Sequence, residues 1–194
     1  MTYIKSAMEI ALEKTNDIKS DRAALAAAAE KEEGKKLASA FFRDPGMDLA
    51  GMLKSLPKEK MAAVKEGFAQ IILANLTLPR DEADVQKLDP LARALDILTG
   101  GKAQIKVFKS QLEKFFKQWL EEKKNLGEAL RQQLGPMLKQ KEAQISQQLG
   151  RPVRLDPRTD PDYLNAYNKN MGHLETRYAG ILAQAKEDIA AMLG

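Results

Sequence analysis

The chain has no cysteine and one histidine, His173, among its 194 residues. The lack of cysteine excludes disulfides, thiolate zinc sites and cysteine nucleophiles. Carboxylate-bridged di-iron sites in helical bundles use two Glu-x-x-His pairs, which one histidine cannot supply. The aspartates Asp156, Asp160 and Asp162 lack the accompanying glycine and terminal glutamate of a calcium-binding loop. These absences predict that the protein holds no metal and no cofactor.

Motifs of enzyme active sites are also missing. The sequence contains no GxSxG, GxGxxG or HExxH. Gly100-Gly101-Lys102 follows a helical segment and precedes Ala103 instead of Ser or Thr, so it does not match a phosphate-binding loop. Glu175 lies two residues from His173 and therefore on a different helix face, which leaves a surface or interhelical position as the simpler interpretation of this histidine. We expect a protein that is not an enzyme.

Long apolar runs are absent as well. No segment is long and apolar enough to span a bilayer, and Lys5, Glu9 and Glu13 interrupt the N-terminal apolar residues, which is not typical of a signal peptide. Aromatic residues make up 6% of the chain and hydrophobic residues 44%, so the core should consist mainly of Leu, Ala, Ile and Met. These features predict a cytoplasmic protein that does not contact membranes.

Three long stretches do repeat apolar residues every three or four positions, which places each set on one face of an α-helix. Helices are therefore predicted near residues 3–42, 103–149 and 161–193. The three apolar sets are Ile4, Met8, Ala11, Ile18, Leu25 and Ala29; then Ile105, Phe108, Leu112, Phe115 and Trp119; and finally Leu164, Tyr167, Met171, Leu174, Tyr178, Ile181 and Ala185.

Turn and capping signals divide the segment between the first two long helices. Asp44-Pro45-Gly46 predicts a turn, Asp89-Pro90 predicts a helix start, and Thr99-Gly100-Gly101 predicts a helix end. The predicted fold is all-α, an elongated antiparallel bundle of three long helices with a cap of short helices. The bundle comprises residues 1–43 and 102–194, the cap comprises residues 44–101, and together they form a single structural unit.

The second long helix should be interrupted. A straight helix over residues 103–149 would be roughly 70 Å long at ~1.5 Å per residue. A heptad frame places Glu122 at a core position and then shifts phase, so a break is predicted at residues 124–127 or at 134–136, where Gly135-Pro136 occurs. Trp119 closes the apolar face before these positions and should be buried.

A heptad frame also describes the last helix and predicts the strongest interface of the fold. The core positions in this frame are Leu164, Tyr167, Met171, Leu174, Tyr178, Ile181, Ala185 and Met192. Because the apolar stripe is wider than a two-stranded coiled coil needs, the helix should contact two neighbours, with dimerisation secondary.

Positive charge is concentrated in one region, although the net charge of +4 from 31 basic and 27 acidic residues is small. Acidic residues are sparse between residues 102 and 124, and this region offers a candidate polyanion-binding face. A simpler interpretation is a solvated helix face opposite the aromatic residues. Arg151, Arg154 and Arg158 would extend the face only if their loop folded beside it. The candidate residues are Lys102, Lys106, Lys109, Lys117, Lys123 and Lys124.

These features of the sequence are compatible with three functions. The leading hypothesis is a non-enzymatic helical scaffold or adaptor, a coiled-coil-like protein that binds a protein partner or a second copy of itself. The alternative is a nucleic-acid or ribonucleoprotein accessory protein that uses the lysine face, and salt-dependent retention of nucleic acid would favour it. The second alternative is a small-ligand binder or an enzyme, which a deep polar pocket with perturbed ionisable groups would favour.

Overall fold

A computed structural model describes the backbone from Ala7 to Leu193 and the side chains from Arg22 to Leu193. The described residues form helices and connecting segments without a β-strand, so the all-α prediction is confirmed. A 3₁₀ turn at Pro157–Thr159 precedes the last helix. In chain order the helices are α1 (Ala7–Arg43), α2 (Leu49–Lys54), α3 (Lys58–Asn75), α4 (Glu82–Val85), α5 (Leu88–Thr99), α6 (Gln104–Leu149) and α7 (Pro161–Leu193).

The chain divides into two compact units. The first comprises residues 1–76, 90–105 and 189–194, and the second comprises residues 77–89 and 106–188. Residues 44–101, which the sequence grouped as one cap, are therefore shared between the two units.

Helices α1 and α3 in the first unit cross at two glycines. A Cβ atom on Gly34 would overlap the carbonyl oxygen of Val64, and a Cβ atom on Gly67 would overlap the carbonyl oxygen of Lys31. Each glycine therefore lets the backbone of the other helix come closer than any side chain would allow. Phe41 and Phe68 are fully buried beside the crossing, with ring centroids 6.3 Å apart.

Local signals set the ends of the shorter helices in the first unit. Asp48 caps α2, since its carboxylate accepts a 2.9 Å hydrogen bond from the amide of Gly51. Helix α5 ends at Thr99 as predicted, because Gly100 and Gly101 both have positive φ angles. The amide of Gly101 donates back to the carbonyl of Asp96 at 2.8 Å, which satisfies one of the last helical carbonyls.

The core of the second unit lies between α6 and α7. Trp119, Met171 and Tyr178 form a buried cluster, and Trp119 is 3% exposed, so the predicted burial of the tryptophan is confirmed. Its indole Nε1 donates a 2.8 Å hydrogen bond to the carbonyl oxygen of Pro79, which satisfies the one polar atom of the ring. The Trp119 and Tyr178 ring centroids are 5.1 Å apart, within the range of favourable aromatic contacts.

The predicted interruption of the second long helix is wrong, because α6 is helical from Gln104 to Leu149. Successive buried side chains are spaced by seven, four, three, eleven and eight residues, which keeps them on one face of a helix with 3.6 residues per turn. This face continues where the heptad frame shifted phase. The buried residues are Ile105, Leu112, Phe116, Trp119, Leu130 and Leu138. Pro136 cannot donate a hydrogen bond to Gln132, but both residues are exposed, so water can reach the freed carbonyl.

The heptad frame misplaced two side chains of α7. Leu164 and Ile181 are 38% and 52% exposed, whereas Met171 and Tyr178 are buried as predicted. Leu182, four positions after Tyr178 and seven before Ile189, is buried instead of Ile181. A strict seven-residue period drifts around a straight α-helix by about 20° per heptad, so it does not follow one face over the whole length of α7.

The prediction for the face of α1 is wrong at its C-terminal end, where Leu25 is 71% exposed and Ala29 is exposed. The physical reason is that the buried part of the described helix begins only at Gly34, where α3 crosses it. The positions predicted earlier in this face, Ile4, Met8, Ala11 and Ile18, lie outside the described side chains.

The crossing of α1 and α3 yields a test. Gly67→Ala should destabilise the first unit by about 1–3 kcal/mol, because the added methyl group meets a backbone carbonyl that can yield only if the helices separate. The matched control is Gly180→Ala in α7, where nothing lies within 4 Å of the added methyl group and a gain of about 0.5–1 kcal/mol is expected. Urea denaturation followed by circular dichroism measures both changes. Equal effects of the two substitutions would contradict a backbone-to-backbone crossing.

The aromatic cluster yields a second test. Trp119→Ala should lower the free energy of unfolding by about 3–5 kcal/mol, as for other large core truncations. Trp119→Phe keeps most of the apolar surface but leaves the buried Pro79 carbonyl unpaired, so it should cost a smaller amount, about 1–3 kcal/mol. Native tryptophan fluorescence that is fully red-shifted and readily quenched would instead indicate a solvent-facing ring.

Candidate functional site: a basic groove

A groove of about 680 Å³ in the second unit is lined by residues of α6 and α7, together with Arg80 and Arg158. We call it the basic groove, and it has an apolar floor and a charged rim. The floor consists of Leu120 and Gly127 of α6 with Tyr163, Leu164 and Tyr167 of α7. The rim carries five cationic side chains and one acidic one, which are Arg80, Lys123, Lys124, Arg131, Arg158 and Glu128.

Two tyrosines near the start of α7 shape the floor. The rings of Tyr163 and Tyr167 stack with centroids 6.3 Å apart and planes inclined by 12°. Tyr163 is buried, and its hydroxyl lies 3.5 Å from the carbonyl oxygen of Gly127. Gly127 has no other residue within 4 Å of the position of a Cβ atom, so the groove reaches the backbone of α6 at this point.

Helix α6 supplies three of the cations. Lys124 and Arg131 are seven residues apart and so lie on the same face of the helix, two turns from each other. Lys124 makes a long, exposed ion pair of 3.9 Å with Glu128, which contributes little to stability. The ammonium group of Lys123 donates to the carbonyl oxygen of Arg80 at 3.4 Å, so its charge is not neutralised by that contact.

Arg158 is held on the rim by Asp156. The Asp156 carboxylate accepts hydrogen bonds from the backbone amide of Arg158 at 3.0 Å and from its guanidinium group at 3.0 Å. These bonds, with a further contribution from the nearby charge of Arg131, hold the pKa of Asp156 below its ordinary value. The pair fixes the orientation of the guanidinium group, while the Arg158 side chain as a whole remains largely exposed.

The connection that carries Arg158 is fastened to α6. The Glu142 carboxylate accepts a hydrogen bond from the amide of Leu155 and the Ser146 hydroxyl accepts one from the amide of Val153, each 2.8 Å long. Because both bonds engage backbone amides, they fix the path of the chain independently of its side chains. Of the three arginines of this loop, Arg158 lines the basic groove together with Lys123 and Lys124, whereas Arg151 and Arg154 lie outside its lining.

Asp160 joins this connection to both helices. Its side chain caps α7 by accepting 3.0 Å hydrogen bonds from the amides of Asp162 and Tyr163, which agrees with the helix predicted near residues 161–193. Lys141 of α6 donates to Asp160 and Asp162 at 2.7 Å each. The hydrogen bond from Lys141 is the main cause that lowers the pKa of the buried Asp160, and the same contacts raise the pKa of Lys141.

The six lysines singled out in the sequence do not share one environment. Lys123 and Lys124 line the basic groove. Lys109 is paired with Asp89 at 2.5 Å and Glu113 at 3.2 Å, and these contacts raise its pKa. Lys102 belongs to the first unit, where it donates to the carbonyl oxygen of Met192 at 3.2 Å. The remaining two, Lys106 and Lys117, are exposed on α6 outside the groove.

The sequence interpretation missed Arg80, Arg131 and the two tyrosines as site residues. A signal existed for Arg131, which follows Lys124 after two helical turns and continues the same charged face. No comparable signal existed for Arg80, because it precedes α4 and reaches the groove only through the tertiary fold. Tyr167 was assigned to the core, and the structure shows it half-buried at the floor of the groove.

A second groove, of about 620 Å³, contains the single histidine, and His173 is exposed there. The carboxylate in the lining of this groove is Glu122, which accepts a 2.8 Å hydrogen bond from the hydroxyl of Tyr178 and pairs with Arg177. The bond from Tyr178 is the largest of the effects that lower the pKa of Glu122, and burial raises the pKa of Tyr178. Glu122 of α6 thus finds its hydrogen-bond and charge partners in Tyr178 and Arg177 of α7, so these contacts hold the two helices together.

Neither a metal cluster nor a membrane segment is found among the residues that the structure describes. In this part of the chain, His, Asp and Glu side chains do not gather in groups of three or more suited to a metal ion. None of the described helices combines the length and apolar character needed to cross a membrane.

The sequence of residues 50–191 matches the family described as "Family of unknown function (DUF6657)", and the chain belongs to this family. The match includes every residue of the basic groove. Comparison with curated proteins and with solved structures gives no match.

The ion pair between Lys141 and Asp160 yields a pH-dependent test. Because the folded-state pKa of Asp160 is lowered, its carboxylate stabilises the fold above the ordinary pKa of about 3.9 and loses this effect as the pH falls through the lower folded-state value. Asp160→Asn keeps a helix-capping side chain but removes the charge. It should lower the urea midpoint at pH 7, and the difference from the wild type should shrink on acidification below about pH 4.

Asp162→Asn is the matched control for this test. Asp162 contacts the same ammonium group, but its side chain is 62% exposed, so the loss at pH 7 should be clearly smaller. If both variants lost the same stability, or if the effect of Asp160→Asn did not change with pH, the stabilising effect of Asp160 would not come from its ion pair with Lys141.

Proposed function

We propose that the protein is a non-enzymatic helical scaffold or adaptor and that the basic groove holds an acidic segment of a protein partner. The observation that supports this proposal is the combination of five cationic side chains with an exposed apolar floor. Charge at the rim guides and orients an acidic partner, and the floor offers the desolvated contact that supplies affinity.

The composition of the groove favours a protein over a free anion. Leu164 is 38% exposed at the floor, and tyrosine and arginine are the residue types most enriched in protein interfaces. An inorganic anion or a phosphate chain would neutralise the rim but leave the apolar floor in contact with water. A peptide carries both acidic and apolar side chains and so complements both parts.

Other elements of the sequence interpretation stay predictions within this proposal. They are the antiparallel arrangement of three long helices with a cap, the cytoplasmic location and the capacity for self-association. None is required for the basic groove to bind a partner, since all the groove residues belong to the second unit.

Nucleic-acid binding is the second candidate function. The observation in its favour is the same cationic rim together with Tyr167, whose half-buried ring lies at the floor where a base could stack. The two candidates differ in their salt dependence. Binding of a nucleic acid should fall steeply with added salt through counterion release, whereas contacts with an apolar floor should persist.

The proposal predicts that reversal of two rim charges weakens binding to an acidic peptide. Lys124→Glu/Arg131→Glu should weaken the binding of a fluorescent Glu- and Leu-containing peptide by at least about tenfold, because two attractive contacts become repulsive. Fluorescence anisotropy at physiological salt measures the dissociation constant. Circular dichroism should show that the double variant remains helical, since both side chains are exposed.

The matched control is Lys106→Glu/Lys117→Glu. It makes the same change in net charge on the same helix, at exposed positions outside the groove. Its affinity should stay within about twofold of the wild type, since it removes only long-range attraction. An equal loss in both double variants would show that overall charge, and not the groove, attracts the peptide.

A further inference from the structure

We infer that the segment bound in the basic groove is an acidic amphipathic α-helix, lying along α6 with its apolar stripe on the floor. The inference rests on the proposed function and specifies the partner of that same site. It follows from the length of the groove, the open backbone at its centre and the distribution of charge around it.

The length of the groove suits three turns of helix. Its lining on α6 extends from Leu120 to Arg131, which is about 16 Å at ~1.5 Å per residue. Three turns place apolar residues at positions i, i+3 or i+4, and i+7 on one side, and these are the anchors used when a helix binds in a groove. Leu120, Leu164 and Tyr167 provide the apolar surface that receives them.

Gly127 allows a helix to approach closely at the centre of this length. Because no atom occupies the space around its missing side chain, a leucine-sized side chain of a partner can settle between Leu120 and Arg131 against the backbone of α6. Helices that contact through small residues reach the shorter end of the 8–10 Å range of interaxial distances.

The rim cations do not follow one line. Lys124 and Arg131 project from α6, Arg158 projects from the connection before α7, and Arg80 projects from the segment before α4. A helix with carboxylates flanking its apolar stripe can meet cations from separate segments. A single-stranded nucleic acid, which carries one row of phosphates, would leave part of this set unused.

A pair of synthetic peptides tests the inference on the full-length protein. One is a capped peptide of about 15 residues, with Leu at the i, i+3/i+4 and i+7 positions, Glu on both flanks and Ala elsewhere. The other has the same composition in a scrambled order that removes the stripe. At concentrations where both are monomeric, the amphipathic peptide should bind at least about tenfold more tightly and gain helical circular dichroism on binding.

Substitutions in the floor of the basic groove test whether the peptide binds there. Gly127→Leu fills the centre of the groove and should weaken binding of the amphipathic peptide at least about tenfold. Gly180→Leu is the matched control, because it makes the same change at an exposed, uncrowded helical position outside the groove. Leu164→Glu should likewise weaken binding, whereas Ile181→Glu, at another exposed apolar position of α7, should not.

The outcomes separate the inference from the proposed function. Equal binding of the two peptides, with loss in Lys124→Glu/Arg131→Glu, would overturn the helical partner but keep an acid-binding groove. Tighter, salt-dependent binding of a single-stranded oligonucleotide, with loss in the same rim variant, would overturn both in favour of a nucleic-acid protein. If the rim and floor variants bind as the wild type does, or if neither peptide binds it at all, the groove is not the binding site and both fail.

Discussion

The pairing of α6 with α7 depends on one buried face along each helix, whose side chains are spaced by three, four, seven, eight or eleven residues. These mixed spacings follow the 3.6-residue turn of a straight helix, so the buried face keeps its orientation over a long distance. Leu130 and Leu138 continue this face past Gly127 and Pro136, in agreement with the continuity of α6. Leu164 lies off the buried face of α7, and this exposed leucine becomes part of the floor of the basic groove.

The first unit is organised by a different physical rule. At Gly34 and Gly67 the backbones of α1 and α3 meet where no side chain intervenes, and the aromatic rings of Phe41 and Phe68 fill the space beside the crossing. A crossing of this kind fixes the register of the two helices, because a shift by one residue would place a Cβ atom against a carbonyl. Helix pairing therefore depends on interlocking buried side chains in the second unit and on contact at glycines in the first.

Local signals made part of this structure predictable. Apolar spacing identified the long helices, including the last one near residues 161–193, and Gly100-Gly101 marked the end of α5. The heptad frame failed because a seven-residue period drifts by about 20° per heptad around a straight helix, so it leaves the buried face over longer distances. Arg80 could not be assigned to the site, since its approach to α6 depends on tertiary folding. Gly34 gave no sign of a helix crossing, because one glycine in a helix specifies no partner.

The position of Trp119 has a consequence for spectroscopy. It is the single tryptophan of the chain, and it lies in the second unit against Pro79 and Tyr178. Its emission therefore reports on the surroundings of one unit, while far-ultraviolet circular dichroism reports on the helices of both. If the two signals change at different denaturant concentrations, the units unfold as separate cooperative blocks, and their stabilities can be measured independently without cutting the chain.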